Sequence, residues 1–241
     1  MCRYFKCHTN MSDPFISFQE KIEVPHLDKL YLYACQYDRS VYHPSLFDQY
    51  GIIYAESIHR AVNKRQAEYL AGRYCARVAL KELGVKVLDI PTGQHRNPIW
   101  PKGVVGSITH TVDKAYAAVG YCTQFNCIGV DYEQIVTPKV ANNIKAMIVN
   151  DKEHSLLIHS EFDFETALTI VFSAKESLFK ALYPCVGQYF DFSAAEIITI
   201  SKKEQRFELR LCQSLNKQLV MGSCFGGWFQ VKAANVLTVI G

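Results

Sequence analysis

The sequence lacks the patterns that take a protein into or across a membrane. No stretch approaches the roughly 18 uninterrupted apolar residues of a membrane-spanning helix, and the first residues lack the apolar segment of a secretory signal peptide. An excess of one charge sign is also absent, since 26 Lys and Arg against 23 Asp and Glu leave a formal net charge of +3. That balance argues against a strongly basic nucleic-acid-binding protein. We therefore expect a cytoplasmic protein with no transmembrane segment and no nucleic-acid partner.

Closely spaced cysteine pairs are missing too, although the chain has nine cysteines. The closest neighbours, Cys2/Cys7 and Cys122/Cys127, have four residues between them, and none forms a C-x-x-C pair. Structural zinc sites usually show tighter pairs with histidine partners. The scattered thiols favour free cysteines in a reducing compartment over disulfides or zinc. The Walker loop and the G-x-G-x-x-G, G-x-S-x-G and H-E-x-x-H motifs are absent, which excludes the usual nucleotide-binding and hydrolase templates.

What is present is the pattern of a folded α+β protein, with 49% hydrophobic residues. Helical periodicity predicts one long helix over residues 61–83, closed by Gly84, and another over 163–182, begun by Asp163 and ended by Pro184. The predicted strands lie at 30–37, on both sides of a turn near Asp113 within 104–120, at 127–131, and four times within 190–241, with turns near 202–205, Asn216 and Gly226 with Gly227. A helix followed by strands occurs twice, so we expect two α+β lobes, 1–122 and 123–241, that meet near 121–126.

Two acids lie at the end of the predicted strand at 127–131. Asp131 and Glu133 are two residues apart, so on a continuing strand their carboxylates share one side. Like charges so close repel unless one carboxylate is protonated or a cation intervenes. A hard divalent ion such as Mg2+ would satisfy them. An exposed strand end with two solvated acids is the alternative, and it is the commoner arrangement for this short motif.

The second predicted helix carries Lys175, Glu176 and Lys180 among apolar residues. Glu176 and Lys180 are four residues apart and so share a helix face. A charged pair in apolar surroundings is typical of a functional site. Two structural explanations stay open, because Glu176 and Lys180 could form a surface ion pair and Ser173 with Glu176 fits a capping box.

Basic residues gather on the first helix and downstream of it. Arginine suits phosphate because its planar fork binds two oxygens. A solvated helix face and a core histidine are the alternatives. Together with the acids, this set would serve phosphoryl-transfer chemistry. The set comprises Lys64, Arg65, Arg73, Arg77, Arg96 and His110.

The residues taken together resemble the 4'-phosphopantetheinyl transferases of the surfactin- and enterobactin-synthetase-activating type. The matching blocks cover about the middle half of the chain and run in the family's order. The pairing of D-x-E with a later K-E-S-x-x-K, after an S-x-x-H block, is specific. These blocks are KRQAEYLAGRYCARVALKELG (64–84), PTGQHRNPIWPKGVVGSITH (91–110), IGVDYE (128–133) and FSAKESLFKALYP (172–184).

The resemblance implies a pseudo-twofold pair of similar α+β lobes, in a monomer, with the active site in the cleft between them. The implied reaction moves the phosphopantetheine arm of coenzyme A onto a serine of an apo acyl, aryl or peptidyl carrier protein. Adenosine 3',5'-bisphosphate leaves. The implied context is nonribosomal peptide synthesis for siderophore assembly, in the cytoplasm or at a synthetase complex on the inner membrane. The first lobe would bind coenzyme A, and the second would hold the metal site and the catalytic helix.

The resemblance also implies residue roles. Asp131, Glu133 and Glu176 match the Mg2+ ligands, with Mn2+ as the other candidate ion. Glu176, or a metal-bound water beside it, would take the proton from the carrier serine, and Lys180 would contact the pyrophosphate. The expected coenzyme A contacts are Lys175 beside Glu176, His110 with Thr109 or Ser107 at a phosphate, Arg65 and Arg73 at the 3'-phosphate, and Arg96 in the loop around the adenine.

Carrier recognition is expected within residues 135–149, where Val140, Ile144 and Ile148 accompany Lys139 and Lys145. Ordinary amphipathic packing explains that segment equally well. Two other function classes stay open at this point. One is a non-catalytic module that binds coenzyme A or a carrier, and the other is a metal-dependent phosphohydrolase.

Overall fold

The computed structural model describes residues 15–93 and 95–241 of the chain. Its two antiparallel sheets each carry a long helix on one face, so the expected α+β architecture with two similar lobes is confirmed. Cys2 and Cys7 lie outside the described residues, and the seven cysteines within them are free thiols. None of the helices in this part of the chain is long and apolar enough to cross a membrane.

The first lobe is a four-stranded sheet in the order β1-β2-β4-β3. The helix predicted over residues 61–83 is confirmed as α3, whose alanine-rich face packs on β2 and β4. The turn near Asp113 is also confirmed, since it joins β3 and β4. The elements are β1 (Ile16–Ile22), β2 (Tyr31–Tyr37), α1 (Leu46–Tyr50), α2 (Glu56–His59), α3 (Asn63–Glu82), β3 (Val104–His110) and β4 (Lys114–Tyr121).

The second lobe is a five-stranded sheet in the order β5-β9-β8-β7-β6. Helix α6 packs against β5 and β9 and supplies much of this lobe's core. Asp163 caps its first turn by accepting a hydrogen bond from the backbone N–H of Thr166, as predicted. The elements are β5 (Gly129–Gln134), α4 (Pro138–Ile148), α5 (Asp151–Ile158), α6 (Phe164–Val186), β6 (Ala195–Ser201), β7 (Arg206–Leu211), β8 (Cys224–Lys232) and β9 (Asn235–Ile240).

Several predicted boundaries were wrong. Helix α6 continues past Pro184 to Val186 and ends at Gly187, whose φ of 71° makes the left-handed cap. The turn predicted at Gly226 and Gly227 is absent, because both glycines lie inside β8. A Cβ on Gly227 would come within 2.2 Å of the Phe207 ring, so this glycine serves close packing. Helices α4 and α5 were not among the predicted elements.

The lobes meet through the sheet faces that point away from their own helices. On β4, Ala115 and Ala117 join the core beneath α3, whereas Tyr116 and Ala118 join a separate apolar cluster shared with the second lobe. That shared cluster also contains Val130 and Tyr132 of β5. The two-residue alternation of the strands therefore gives each sheet one face for its own helix and one for the other lobe.

Candidate active site

Asp131 is the most completely bonded acid of the predicted site. Its side chain is only 3% exposed and lies where β3, β5 and α6 converge. Oδ1 accepts hydrogen bonds from Lys180 Nζ at 2.6 Å and Thr109 Oγ1 at 3.1 Å. Oδ2 accepts one from Ser173 Oγ at 2.8 Å. Hydrogen bonds therefore hold both carboxylate oxygens at a junction of the two lobes.

A glycine allows this junction to form. A Cβ on Gly129 would come within 1.9 Å of the Ser177 carbonyl oxygen, so only glycine lets β5 lie this close to α6. The close approach places Asp131 and Glu133 of β5 alongside Glu176 of the helix.

The other two acids are electrostatically linked to Asp131. Burial, the Asp131 charge and the Glu176 charge raise the pKa of Glu133 to about 7, against the opposing effect of Lys180. Burial and Asp131 also raise the pKa of Glu176. Three carboxylates therefore share one region in which Lys180 is the cation that acts on both glutamates. This uncompensated negative charge fits a hard cation, and an all-oxygen ligand set is what Mg2+ prefers.

The three acids lie in one region, but their side chains are not positioned to coordinate one metal ion. Within residues 15–93 and 95–241, no three His, Cys, Asp or Glu side chains stand in positions that could hold an ion together. Both Asp131 oxygens are engaged by Lys180, Thr109 and Ser173. Side-chain movement would be needed before all three carboxylates could coordinate one ion.

Lys180 connects the acids to the first lobe. Its ammonium donates to Asp131, to Thr109 Oγ1 at 3.1 Å and to the Val130 carbonyl at 3.3 Å. The surface ion pair considered between Glu176 and Lys180 is therefore replaced by a part-buried pair with Asp131. The capping-box alternative is excluded, because Ser173 and Glu176 lie inside α6.

The phosphate-binding candidates form a second group on the first lobe. Arg65 Nη1 donates to His110 Nε2 at 2.8 Å. Burial, Arg65 and Lys180 lower the pKa of His110 to about 4, so the ring is neutral near pH 7 and its Nε2 accepts. Glu68, which the sequence did not single out, lies 3.7 Å from Arg65 and 3.9 Å from His110. The group thus combines a positive guanidinium with a neutral imidazole and a buried acid.

Arg73 is more deeply placed than a solvated helix face would allow. Its guanidinium lies 4.6 Å from the centre of the Tyr69 ring. Its Nε donates to the Ile90 carbonyl at 3.0 Å and its Nη2 to Thr92 Oγ1 at 3.3 Å. Burial lowers its pKa. Arg73 therefore anchors the loop that follows α3. Arg77 has a structural role, since it donates to the Gly51 carbonyl at 2.6 Å.

A cleft of about 540 Å3 runs between the lobes beside Lys180. Arg96 lines one wall, where it adopts a left-handed φ of 65°. Ser107 also lines the cleft, and its Oγ accepts a hydrogen bond from the Val130 N–H at 3.1 Å. Much of the remaining wall is aromatic or aliphatic, from Trp100, Ile108, Phe179, Tyr183 and Tyr189.

The structure does not bring Lys175, for which a contact with coenzyme A was expected, together with the acids. Its ammonium forms a buried ion pair with Glu153 at 2.8 Å. It also donates to the Ile148 carbonyl at 2.7 Å and the Phe192 carbonyl at 3.1 Å. Three acceptors use all three donor hydrogens of the ammonium. One step along the helix turns this side chain about 100° away from Glu176, into the core of the second lobe.

Sequence reasoning missed Ser173 as a partner of Asp131, and it missed Glu68. Ser173 was noticed only as a helix cap, since nothing in local spacing connects it to an acid 42 positions earlier. Glu68 could have been found from its spacing, because it lies three residues after Arg65 on α3.

Comparison with known proteins gives two family matches. Residues 54–120 match the 4'-phosphopantetheinyl transferase N-terminal domain, and residues 127–223 match the 4'-phosphopantetheinyl transferase superfamily. Enterobactin synthase component D of Salmonella typhi is 31% identical over 209 residues, which cover 87% of this chain and 85% of that protein. The protein of the same name in Escherichia coli K12 is 41% identical over 128 residues, 53% of this chain and 59% of that one. The 4'-phosphopantetheinyl transferase Npt of Nocardia iowensis is 34% identical over 140 residues, 58% of this chain and 62% of that one.

Proposed function

This chain belongs to the 4'-phosphopantetheinyl transferase superfamily, and we propose that the junction of Asp131, Glu176 and Lys180 is where it acts. Its reaction transfers the 4'-phosphopantetheine arm of coenzyme A to a serine of an apo carrier protein and releases adenosine 3',5'-bisphosphate. The observation that carries the assignment to this junction is the 2.6 Å bond between Lys180 and Asp131, at the edge of the cleft between the lobes. A non-catalytic binding module is not favoured, because the acids and the lysine are all present and close together.

Coenzyme A is strongly anionic, so its binding needs several positive groups. We assign its 3'-phosphate to Arg65 and Arg73, with His110 and Thr109 at a phosphate and Arg96 beside the adenine. The apolar walls of the 540 Å3 cleft suit the uncharged pantetheine chain. In this proposal, residues 1–122 provide the coenzyme A phosphate contacts, and residues 123–241 provide the acids and the catalytic helix. The division falls between β4 and β5.

A divalent ion completes the proposed site. Asp131, Glu133 and Glu176 would hold Mg2+, or Mn2+. The raised pKa values of Glu133 and Glu176 and the oxygen-only ligand set of all three acids fit such an ion. When bound, the ion would neutralise charge on the pyrophosphate of coenzyme A.

The protein's own groups perform the remaining work. In the transfer, the carrier serine oxygen bonds to phosphorus, the phosphorus–oxygen bond to adenosine bisphosphate breaks, and Glu176 accepts the serine proton. Lys180, fixed by Asp131 and Thr109, stabilises the negative charge that develops on the leaving phosphate. The nucleophile belongs to the carrier, so the chain needs positioning and charge stabilisation more than a nucleophile of its own.

The carrier would dock beside the catalytic helix, on α4. Val140 and Met147 are exposed there, with Lys139 and Lys145 close along the chain, and this surface suits an apolar and acidic carrier helix. Ile148 is buried and belongs to the core, so it drops out of the expected contact set. The relatives named enterobactin synthase component D favour carriers of nonribosomal peptide synthetases in siderophore assembly. We propose a cytoplasmic monomer that associates peripherally with such a synthetase complex at the inner membrane.

Intact-protein mass spectrometry tests this function directly. An apo peptidyl or aryl carrier incubated with the chain, coenzyme A and Mg2+ should gain one phosphopantetheine, and EDTA should prevent the gain. No gain on any carrier class, with coenzyme A binding retained, would favour the binding module instead. Release of adenosine bisphosphate without a carrier would indicate a phosphohydrolase.

Replacing Glu176 by Gln tests the proposed base. We expect kcat to fall by about 10²–10⁴-fold, the usual contribution of a general base. The melting temperature should hold, because the raised pKa of Glu176 shows that folding already disfavours its charged form. Transfer at the wild-type rate would remove Glu176 from the mechanism.

A further inference from the structure

Arg39 lies beside the phosphate-binding group although it is distant from it in sequence. It begins a 3-10 turn, Arg39–Val41, directly after β2. The following Tyr42 donates its hydroxyl hydrogen to Gln66 Oε1 on α3, which ties the turn to this helix. One turn of backbone is thereby held over the part of α3 that carries Arg65.

The basic groups lie around a single buried acid, Glu68. Glu68 Oε1 lies 3.9 Å from Arg39 Nη1, and Glu68 Oε2 lies 3.7 Å from Arg65 Nη1 and 3.9 Å from His110 Nδ1. One carboxylate cannot neutralise two arginines, and His110 is neutral near pH 7. The cluster of Arg39, Glu68, Arg65 and His110 therefore keeps a net charge of about +1.

The exposure of these groups decides which charge an approaching ligand meets. The side chain of Glu68 is 10% exposed, whereas those of Arg39 and Arg65 are 28% and 38% exposed. The acid is thus more deeply buried than the two arginines that it holds, and the arginine side chains are the more accessible members of the cluster. A dianionic phosphate monoester suits two converging arginine forks, each of which offers paired donors.

We propose that Arg39 is a further substrate-binding residue, which joins Arg65 in holding the 3'-phosphate of coenzyme A. The proposal rests on the function proposed above. Arg39 shares the Glu68 carboxylate with Arg65, the residue assigned to the 3'-phosphate, whereas Lys180 acts on His110. The contact of Arg39 is therefore assigned to the 3'-phosphate and not to the pyrophosphate. Glu68 acts through the arginines as a positioning residue.

Steady-state kinetics of Arg39→Ala with two donors tests the proposal. With coenzyme A, KM should rise about tenfold, the effect of one charge-assisted hydrogen bond at a part-exposed site, and kcat should stay within about twofold. With 3'-dephospho-coenzyme A, the variant and the wild type should have equal KM, because the group that Arg39 binds is missing. Arg206→Ala, an exposed arginine of β7, is the matched control and should change neither KM.

Direct binding provides a second readout that does not depend on turnover. Calorimetry should show weaker binding of adenosine 3',5'-bisphosphate to Arg39→Ala than to wild type, and no difference between them for 5'-AMP. Arg39→Lys keeps the charge but loses the guanidinium fork. Its affinity for adenosine 3',5'-bisphosphate should lie between those of the wild type and Arg39→Ala, and it controls for a folding defect in the alanine variant.

The outcomes separate this proposal from the function it rests on. An unchanged KM for coenzyme A in Arg39→Ala, or an equal rise with both donors, would overturn the role of Arg39. A wild-type protein that transfers nothing to any apo carrier would refute the proposed function. Calorimetry would still decide then whether Arg39 recognises a 3'-phosphate.

Discussion

Replacing Lys175 by Met removes the positive centre of a buried polar network. In the wild type, Lys175 Nζ bonds to Glu153 and to the carbonyls of Ile148 and Phe192, at 2.7–3.1 Å. The side chains of Lys175 and Glu153 are 3% and 2% exposed. Methionine has nearly the length of lysine, so the change deletes the charge and leaves little cavity. Glu153 keeps its bonds from the N–H groups of Asn150 and Ile197 but loses its counter-charge.

The size of the effect follows from leaving the buried Glu153 without its counter-charge. Leaving one partner of a buried ion pair uncompensated costs about 3–5 kcal/mol. In a protein of about 150–250 residues, each 1 kcal/mol lowers the melting temperature by about 2–4 °C. We therefore expect Lys175→Met to melt roughly 6–20 °C below the wild type.

Thermal unfolding followed by circular dichroism measures this shift. Lys203→Met, an exposed lysine in the turn between β6 and β7, is the control and should leave the melting temperature within about 1 °C. Adding Glu153→Gln to Lys175→Met should cost less than the sum of the two single changes, because the second change removes the unpaired charge.

A kinetic measurement separates this structural role from coenzyme A binding. Well below its melting temperature, Lys175→Met should keep the wild-type KM for coenzyme A within about twofold. An unchanged melting temperature together with a large rise in KM would refute the reasoning and restore the contact that the sequence suggested.

Two further predictions concern β5. Because folding raises the pKa of Glu133 from its ordinary value to about 7, its protonated form favours the fold, so in EDTA this stabilisation should disappear as pH rises from about 4.5 through 7. Melting curves across pH 4–8 should show this decline for wild type and a flatter profile for Glu133→Gln, and equal profiles would contradict the pKa shift. Gly129→Ala should destabilise the second lobe, because its Cβ would meet the Ser177 carbonyl at 1.9 Å, a contact that forces β5 away from α6. A soluble Gly129→Ala variant with wild-type melting temperature and transfer rate would show that this close approach is unnecessary. Gly84→Ala is the comparison variant: an added Cβ there meets open space, so any destabilisation comes from the φ of 83° and not from a clash.

Local sequence patterns predicted the long elements well. The helical spacing of Ala67, Leu70 and Ala71 gave α3, because these residues all face the core of the first lobe. Alternation on β5 correctly placed Asp131 and Glu133 on one side of the strand. Prediction failed where tertiary packing overrode a local signal, as at Gly226 and Gly227, which lie in a strand next to a phenylalanine ring.

The sequence also singled out the candidate site residues, but it did not predict the contacts that they make. Lys175 and Glu176 are adjacent and equally polar, and no pattern says which of them faces the acids. Helical geometry separates their directions by about 100°. Which side chain points to the cleft depends on how α6 is rotated against β5. The packing of the two elements, which includes the close approach of Gly129 to Ser177, decides that rotation.

Sequence information was therefore sufficient for what depends on neighbours along the chain: helix and strand periodicity, the side shared by Asp131 and Glu133, and the family's motifs. Folding decided what depends on the packing of distant segments. Ser173 reaches Asp131 across 42 positions and Arg39 approaches Glu68 across 29, because the strand order β1-β2-β4-β3 and the pairing of β5 with α6 bring those segments together. Periodicity specifies which residues share one face of a helix or strand. Only the packed structure specifies which other element packs against that face.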